Sequence, residues 1–374
     1  VPPLRFPEFT KEWEEHALAE YLDFKNGLNP DVKRIGRGLP FISVMDILAD
    51  GTINYDSIRG KVEATEREIE NFSVEKGDIL FQRSSETLED VGRANVYMDN
   101  RTAVYGGFVI RGRKIGDYNP LFFKYLLSTP LARKRTCRMG AGAQHFNIGQ
   151  GGLSKISLCF PLMEEQNKIA RLLSLIDERI ATQNKIIDKL QSLIKGLRVC
   201  CMQRNGSNNV YLSEIAQIYQ PQTISSAELT EDGFLVYGAN GIIGKYKDYN
   251  HKTEQICITC RGNTCGMVNY TKPMSWITGN AMVINTDKYQ DKVYKKYLYH
   301  YLSAYNFNSI ISGSGQPQIV RTPLEKLKIT LPTISEQKQK AMILDKIQDK
   351  IEINHNILNL YILQKQYLLR QMFI

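Results

Sequence analysis

Long apolar runs are missing from this sequence of 374 residues, and no stretch of 18 apolar residues occurs. A helix that crosses a bilayer needs about 20 such residues, so we expect no membrane-spanning segment and no membrane partner. The seven cysteines are scattered and odd in number, which argues for reduced thiols rather than a disulfide framework. The N-terminus is proline-rich and charged, unlike a signal peptide. Together these features predict a cytoplasmic protein.

Recognisable catalytic motifs are also missing. The sequence has no phosphate-binding loop, no dinucleotide fingerprint after a strand, no Asn-Pro-Pro-aromatic motif for amino-methyl transfer and no carboxylate–lysine cluster typical of nucleases. The five histidines are dispersed. A catalytic triad assembled from distant residues is the open alternative, but we expect a chain without catalytic residues.

Three cysteines lie close together in the second half of the chain. Cys257, Cys260 and Cys265 could bind a metal with His251 as the fourth ligand. Zinc sites more often combine two ligand pairs of the CxxC or HxxxH type. Cys257 and Cys260 belong to a predicted strand, where residues i and i+3 face opposite sides. We therefore favour buried thiols and expect no metal site.

Two long segments carry a heptad pattern. Apolar residues recur in alternating steps of three and four from Ile169 to Cys201, and a second series with the same rhythm runs from Leu344 to Met372. The two series are offset by 171 residues, and this offset places the polar Asn354 on the polar Gln183. Matching series with one polar layer in register indicate an internal duplication. The predicted coiled-coil seam comprises Leu173, Ile176, Ile180, Gln183, Ile187, Leu190, Leu344, Ile347, Ile351, Asn354, Leu358 and Tyr361.

Pairing of the two series within one chain is favoured by their matched lengths and polar layers, whereas a homodimer is the alternative. At about 1.5 Å per residue, each helix of about 40 residues would extend roughly 60 Å. An antiparallel pair would place two globules at opposite ends, related by a pseudo-two-fold axis. Lys365 stands where the first series has Ile194, which predicts either a frayed helix end or a partner contact.

Short apolar segments precede each heptad series and predict two globules of mixed α/β (α+β) class. In the first, Trp13 to Phe24 has helical spacing, a strand covers Ile79 to Phe81, and a helix begins at Asn119-Pro120. In the second globule, strands at 235–237 and 255–259 are predicted to be the equivalents of the strand at Ile79 to Phe81. We predict a first globule over 1–160, a helix over 161–204, a second globule over 205–331 that opens with a polar linker at 205–209, and a helix over 332–374.

Basic and amide side chains recur in both globules. The net charge of +9 favours a polyanionic partner, and a glycine-rich loop with amide residues occurs at 140–152 and again at 313–321. Lys and Arg bind phosphates, while Arg, Asn and Gln can read base edges, so we predict contacts with double-stranded DNA. For any single residue, a solvated surface position is the alternative. The candidates are Arg83, Arg93, Arg111, Arg113, Arg133, Arg135, Arg138, Gln144, His145, Asn147, Lys245, Lys247, Arg261, Asn263, Gln316, Gln318 and Arg321.

Several motifs together are similar to those of a known family. A proline followed by Glu-Gln opens both heptad series, at 161–166 and 332–337, and the chain begins with Leu-Arg-Phe-Pro-Glu-Phe at 4–9. Tyr-Gly-Ala-Asn-Gly at 237–241 and Arg-Gly-Asn-Thr at 261–264 belong to the same set. Nearly the whole chain resembles the specificity (S) subunits of type I restriction-modification systems.

This resemblance implies that each globule is a target recognition domain that reads one half of a bipartite DNA sequence. It implies that the paired helices set the spacer between the halves and dock two methylation subunits, and that a restriction subunit completes the complex. No cofactor would be bound by this chain, because S-adenosylmethionine, ATP and Mg²⁺ are used by the partner subunits.

Two other functions compete with this interpretation. A recognition fragment of a self-contained restriction–methylation enzyme would need a cofactor domain, which no stretch of this sequence supplies. A coiled-coil adaptor would be indifferent to DNA and to salt.

Overall fold

The computed structural model describes residues 1–202, 208–239, 241–313 and 315–374. The chain divides into two compact units: unit 1 comprises Val1–Asn184 and Ile357–Ile374, and unit 2 comprises Lys185–Asn356. The predicted boundary at 204 and the predicted linker as far as 207 lie outside the described residues, and the four-segment division stays a prediction. Within the described ranges, no helix combines the length and apolarity that a bilayer crossing requires.

Unit 1 consists of short strands and helices followed by the first half of a long helix. Its strands are β1 (Glu14–Ala17), β2 (Leu22–Asn26), β3 (Ile35–Ile42), β4 (Lys61–Val62), β5 (Ser73–Val74), β6 (Ile79–Gln82), β7 (Ser84–Ser85), β8 (Ala94–Val96), β9 (Ala103–Tyr105), β10 (Val109–Lys114), β11 (Phe146–Asn147) and β12 (Ser157–Phe160). Its helices are α1 (Leu18–Tyr21), α2 (Val44–Leu48), α3 (Glu66–Phe72), α4 (Pro120–Ser128), α5 (Pro130–Cys137), α6 (Gln150–Ser154) and the long α7 (Met163–Met202), which continues into unit 2.

Two four-stranded sheets form the centre of unit 1. The first is antiparallel in the order β2-β10-β6-β8, and the second has the order β4-β3-β9-β5 with β3 and β9 parallel. Every residue of β6 is buried, as expected for a strand covered on both faces. Helix α4 begins as the sequence predicts, because the Asn119 side chain accepts a hydrogen bond from Phe122 N (3.0 Å) and Pro120 occupies the first turn.

The predicted helix from Trp13 to Phe24 is wrong. Only the four residues of α1 are helical there, between strands β1 and β2. Leu18 and Leu22 are buried, as the helical spacing would also require, but β1 pairs with β12 and β2 pairs with β10. These distant pairings satisfy the backbone groups and override the local helical spacing.

Unit 2 has the same kinds of element in fewer residues. Its strands are β13 (Asn208–Tyr211), β14 (Gln217–Tyr219), β15 (Phe234–Gly238), β16 (Gly241–Tyr246), β17 (Ile256–Thr259), β18 (Val268–Tyr270), β19 (Trp276–Ile277), β20 (Ala281–Asn285) and β21 (Lys328–Leu331). Its helices are α8 (Lys295–Ala304), α9 (Arg321–Glu325) and the long α10 (Ile334–Gln371), which continues into unit 1.

The strand pairings of unit 2 repeat those of unit 1. The antiparallel sheet β14-β20-β17-β18 corresponds to β2-β10-β6-β8, and the pair β13–β21 corresponds to β1–β12. The parallel pair β15–β19 corresponds to β3–β9. The prediction that the strand at 235–237 is the equivalent of the strand at Ile79 to Phe81 is therefore wrong, since β15 is the equivalent of β3. Only β17, within the predicted 255–259 segment, is the equivalent of β6.

The Glu-Gln motif at the start of each long helix fixes the helix to its own unit. Gln166 is buried; its Oε1 accepts from Asn119 N (3.0 Å) and its Nε2 donates to Pro161 O (3.0 Å). Gln337 does the same, accepting from Tyr294 N (2.8 Å) and donating to Pro332 O (2.9 Å). The motif thus joins the N-terminus of α4 or α8 to the start of α7 or α10.

The preceding glutamates differ between the two units. Glu165 forms a two-pronged ion pair with Arg5, with both N–O distances at 2.7 Å and side-chain exposures of 2% and 10%. In unit 2, Glu336 is exposed and accepts hydrogen bonds from the backbone and hydroxyl of Thr333. The opening Leu-Arg-Phe-Pro motif therefore has a structural partner in unit 1.

The heptad stripe of both long helices is buried as predicted. Every predicted seam position is buried or half-buried, including the polar Gln183 (7% exposed) and Asn354 (9% exposed). Within unit 2 the two helices run antiparallel, since Cys201 and Leu344 line one cavity and Ile194 and Ile351 line the next.

The end of α10 is ordered by contacts within unit 1. Lys365 Nζ lies 2.5 Å from Asp177 Oδ1 on α7. Beyond it, Leu368 and Met372 are buried in the core of the unit, and Phe373 stacks on Phe122 with ring centroids 5.5 Å apart. The prediction of a frayed end at Lys365 is therefore wrong, because the ion pair and the apolar anchors hold the last turns.

Candidate nucleic-acid interface

Three segments of unit 1 meet where β6 ends. Arg83 N donates to Phe108 O (2.9 Å), and Ile148 N donates to Arg83 O (3.0 Å). The pairing of β7 with β11 brings Ser84 Oγ to 2.5 Å from Asn147 Oδ1. We call the segments 82–85, 106–108 and 141–148 the first loop cluster.

The amide-rich loop of this cluster presents its predicted side chains to solvent. Gln144, His145 and Asn147 are exposed. Gly142 permits the tight turn, since its φ is +142° and a Cβ there would lie 2.0 Å from His145 O. Arg83 is half-buried and donates from Nη1 to Gly107 O (3.3 Å).

Three segments of unit 2 meet in the same way where β17 ends. Cys260 N donates to Asn280 O (3.0 Å), and Ile319 N donates to Cys260 O (3.0 Å). Ser312 and Gln318 exchange two backbone hydrogen bonds of 2.8 Å. Residues 259–264, 279–280, 312–313 and 315–319 form what we call the second loop cluster. Its predicted residues Arg261, Asn263, Gln316 and Gln318 are all exposed.

The two loop clusters are built by equivalent hydrogen bonds. The link from Ile148 to Arg83 corresponds to the link from Ile319 to Cys260. The bridge between Ala141 and Asn147 corresponds to that between Ser312 and Gln318. The structure therefore places an exposed amide, Asn147 or Gln318, at the same position in each unit.

Two predicted arginines on β10 are used inside the fold. Arg111 is only 6% exposed, and its Nη1 donates to Ser73 O (2.5 Å). Arg113 Nη2 donates to the same oxygen (2.7 Å), and the side chain also pairs with Glu75 and Asp78. Burial raises the pKa of the Asp78 carboxyl, although both arginines oppose that shift.

The predicted basic group on α5 is divided between the interior and the surface. Arg133 donates to Gly92 O (2.9 Å) and Val91 O (2.6 Å), and burial lowers its pKa. Arg135 binds Glu15 and the Ser157 carbonyl oxygen. Arg138 is exposed.

The remaining predicted cations lie outside the loop clusters and mostly form surface ion pairs. Arg93 binds Asp90 (2.6 Å), Lys245 lies 3.4 Å from Asp232, and Arg321 binds Glu325 (2.6 Å). Lys247 is exposed at the end of the β16 hairpin. Exposed ion pairs of this kind contribute roughly 0–1 kcal/mol each, so these cations can exchange partners at small cost.

The cysteines of the second unit face different parts of its core. Cys257 packs with Tyr237 and Ile277, whereas Cys260 packs in the core cluster on the other face of β17. Burial raises the pKa of the Cys257 thiol to about 12. His251 is held by Tyr219 Oη (2.8 Å to Nε2) and Asn250. The opposite orientation of the two thiols agrees with the sequence analysis.

Comparison with known proteins gives one consistent result. The family model of the type I restriction modification DNA specificity domain matches residues 10–192 and again residues 205–360. The type I restriction enzyme MjaVIII specificity subunit of Methanocaldococcus jannaschii is 26% identical over 406 residues, which covers 94% of this chain and 88% of that protein. The type I restriction enzyme EcoprrI specificity subunit of Escherichia coli is 32% identical over 140 residues, which is 36% of this chain and 34% of that protein.

Among solved structures, the type I restriction-modification system S subunit from M. genitalium has the same fold. Its TM-score is 0.68 at 16% sequence identity, and the match covers 100% of this chain and 99% of that one. The repeated loop clusters, the two matches to one family model and this likeness in fold lead to the same conclusion. The chain belongs to the family of type I restriction-modification specificity subunits and carries its specificity domain twice.

Proposed function

We propose that this chain is the non-catalytic subunit that reads a bipartite double-stranded DNA target, with one loop cluster for each half of the target. The recurrence of the same hydrogen-bonded loop cluster, with exposed amide side chains in both units, carries this proposal. Amides read adenine edges bidentately, and cations hold the phosphates.

The candidate residues have different roles, according to their contacts. Gln144 in the first loop cluster, and Arg261 and Gln318 in the second, are exposed and can approach base edges. The Asn147 amide is exposed too, but it is bonded to Ser84 Oγ and to the His145 carbonyl. Arg138 and Lys247 bind phosphates. Arg111 and Arg133 hold the fold instead. Arg133 bonds the carbonyls of Gly92 and Val91, and the buried Arg111 shares the Ser73 carbonyl with Arg113.

Membership of the family supports assembly of this chain with other subunits, and the proposal specifies them. Two methylation subunits and a restriction subunit bind this chain, and S-adenosylmethionine, ATP and Mg²⁺ are used by those partners. Methylation by the isolated chain with S-adenosylmethionine would contradict this division of labour.

A base-resolution methylome of the host, with and without this gene, tests the DNA-reading function. We expect deletion to remove one bipartite adenine motif with a fixed gap and to leave all other modified motifs unchanged. An unchanged methylome, in a host where the methylation subunit co-purifies with this chain, would contradict the proposal.

Replacement of Arg261 tests the role of the second loop cluster. Arg261→Ala should weaken discrimination at one half-site by roughly 10-fold, since a bidentate base contact contributes about 1–3 kcal/mol. A competition assay with duplexes altered in either half measures the effect. Lys288→Ala, an exposed cation outside the cluster, is the matched control and should change neither half. Equal weakening at both halves would contradict a local reading role.

A further inference from the structure

One position is equivalent in the two loop clusters but was not among the predicted candidates. Strand β10 begins with Val109 opposite Gln82, and β20 begins with Ala281 opposite Thr259. The residue just before each strand is Phe108 in unit 1 and Asn280 in unit 2. As described above, their carbonyl groups accept equivalent hydrogen bonds at the ends of β6 and β17, so the two residues occupy the same place in the repeat.

A buried glycine precedes each of these residues and directs it outward. A Cβ at Gly107 would lie 1.8 Å from Asn29 Oδ1, and a Cβ at Gly279 would lie 2.4 Å from Thr223 Oγ1. The backbone is therefore pressed against the loop that follows β2 or β14, and no side chain fits on that side. Phe108 is 69% exposed, and Asn280 is exposed as well.

The chemistry at this position differs between the two units. Phe108 presents an aromatic hydrocarbon surface and borders a groove lined by Ile35, Phe41 and Met45. Asn280 presents a carboxamide, with one acceptor and two N–H donors. An exposed aromatic ring beside an amide-rich loop has no structural requirement there, since its removal would leave no cavity in the core.

We infer that the residue at this position reads a base pair in each half of the target. Phe108 makes an apolar contact with the C5-methyl group of a thymine. Asn280 accepts a hydrogen bond from N6–H of an adenine and donates one to its N7. The inference rests on the proposed DNA-reading function and adds the two residues that make the halves chemically different.

The test uses the full chain in its host, with the methylome as the readout. Asn280→Ala should relax one adenine position in one half of the motif, with a loss of discrimination of roughly 10-fold to 100-fold. Phe108→Ala should relax one thymine position in the other half, whereas Phe108→Leu should retain the preference through its apolar surface. The gap and the other half should stay unchanged in each variant.

Four outcomes would overturn the inference. The first two are an unchanged motif and a loss of base preference in both halves of the motif. The third is an equal loss of preference in Phe108→Leu and Phe108→Ala, and the fourth is complete loss of modification by a variant whose unfolding temperature equals that of the wild type. Both positions are exposed, so we expect the unfolding temperatures of the variants to match that of the wild type. A wild-type chain that directs no bipartite motif would contradict the proposed function. A wild-type motif that the variants leave intact would contradict only the assignment of Phe108 and Asn280.

Discussion

Units 1 and 2 place an equivalent helix against the long helices but use different polar chemistry to do so. In unit 1, Tyr125 on α4 donates to Asp177 Oδ2 (2.8 Å), and Asp177 also binds Lys365. In unit 2, His300 occupies the equivalent turn of α8, and its Nε2 lies 2.9 Å from Asp345 Oδ1. The repeat has kept a contact from this helix to a carboxylate on the long helix, but the carboxylate lies one turn earlier in unit 2, because the offset of 171 places Gln348 rather than Asp345 on Asp177.

The consequence of this difference lies in ionisation. Arg198 Nε donates to His300 Nδ1 (3.2 Å), and this contact favours the neutral tautomer that carries its proton on Nε2, facing Asp345. Burial lowers the pKa of His300, whereas burial raises the pKa of Tyr125. The imidazole contact in unit 2 therefore titrates below the usual range of histidine, whereas the phenol contact in unit 1 stays protonated far above neutral pH.

The largest expected effect tests what the two units share. Gln166→Leu and Gln337→Leu should each destabilise their own unit by about 3 kcal/mol, because the first leaves an N–H and a carbonyl without their partner and the second leaves an N–H and two carbonyls. Hydrogen exchange resolved by segment measures the loss in each unit separately. Gln364→Leu, at an exposed position on α10, is the control and should change stability by less than about 0.5 kcal/mol. A large loss of stability in only one unit would contradict the equivalence of the Glu-Gln motifs at the starts of α7 and α10.

A second pair of substitutions compares the buried ion pair of Glu165 with the exposed hydrogen bonds of Glu336. Arg5→Leu should destabilise unit 1 by about 2 kcal/mol, because it leaves the Glu165 carboxylate buried without its charged partner. Thr333→Ala removes the hydroxyl that bonds Glu336 in unit 2 and should cost about 1 kcal/mol. Thermal unfolding of the two variants gives the comparison, and an equal or smaller loss for Arg5→Leu would argue against a buried pair.

Acidification should separate the two units. The folded-state pKa of His300 is lower than the usual value of about 6.5 for an unfolded chain, so the unfolded chain takes up the proton first as the pH falls. The contribution of the neutral His300 to the free energy of unfolding is complete above the unfolded-chain pKa of about 6.5. It is lost as the pH falls below that pKa, at no more than about 1.4 kcal/mol per pH unit.

Segment-resolved hydrogen exchange between pH 7 and pH 5 checks this expectation. Exchange should quicken in unit 2, beyond the intrinsic effect of pH. His300→Gln should reduce the slope without abolishing it, since burial also lowers the pKa of His251. Tyr125→Phe should leave the pH dependence of unit 1 unchanged. If His300→Gln does not alter the pH dependence of the stability of unit 2, groups other than His300 cause that dependence.

The smallest expected effect concerns Lys365. Its ion pair with Asp177 is partly exposed, with side-chain exposures of 28% and 27%, so Lys365→Met should destabilise unit 1 by about 1 kcal/mol or less. A double-mutant cycle with Asp177→Asn isolates the coupling between the two charges. The coupling should weaken in high salt, and a coupling of zero would mean that the side chain of Lys365 contributes only by packing.

The long helices could be predicted from the sequence because their pattern is local. A heptad can be recognised within the helix itself, and the offset of 171 placed Asn354 on Gln183, both of which are buried. The short strands were harder to predict. Trp13 to Phe24 has helical spacing, and only its pairing with β12 and β10 makes most of it extended.

The candidate site could be predicted only in part. Arg111 and Arg261 look alike in sequence, yet the first is buried against Ser73 and the second is exposed on a turn, because strand pairing decides which way each faces. The equivalence of Phe108 and Asn280 was hidden by a loop that differs in length, which shifts their offset to 172 residues. A Gly-X pair before the same strand in both copies was the signal that could have shown it.

The division of the chain into units has a consequence for the order of synthesis. Unit 2 is one continuous segment, whereas unit 1 joins the first part of the chain to Ile357–Ile374. The Trp13 ring meets the Phe373 ring at a centroid distance of 6.1 Å, so unit 1 closes only after the last turns of α10 have left the ribosome. Until then, the nascent first half exposes an apolar surface that a chaperone can bind, while the later half can already be complete.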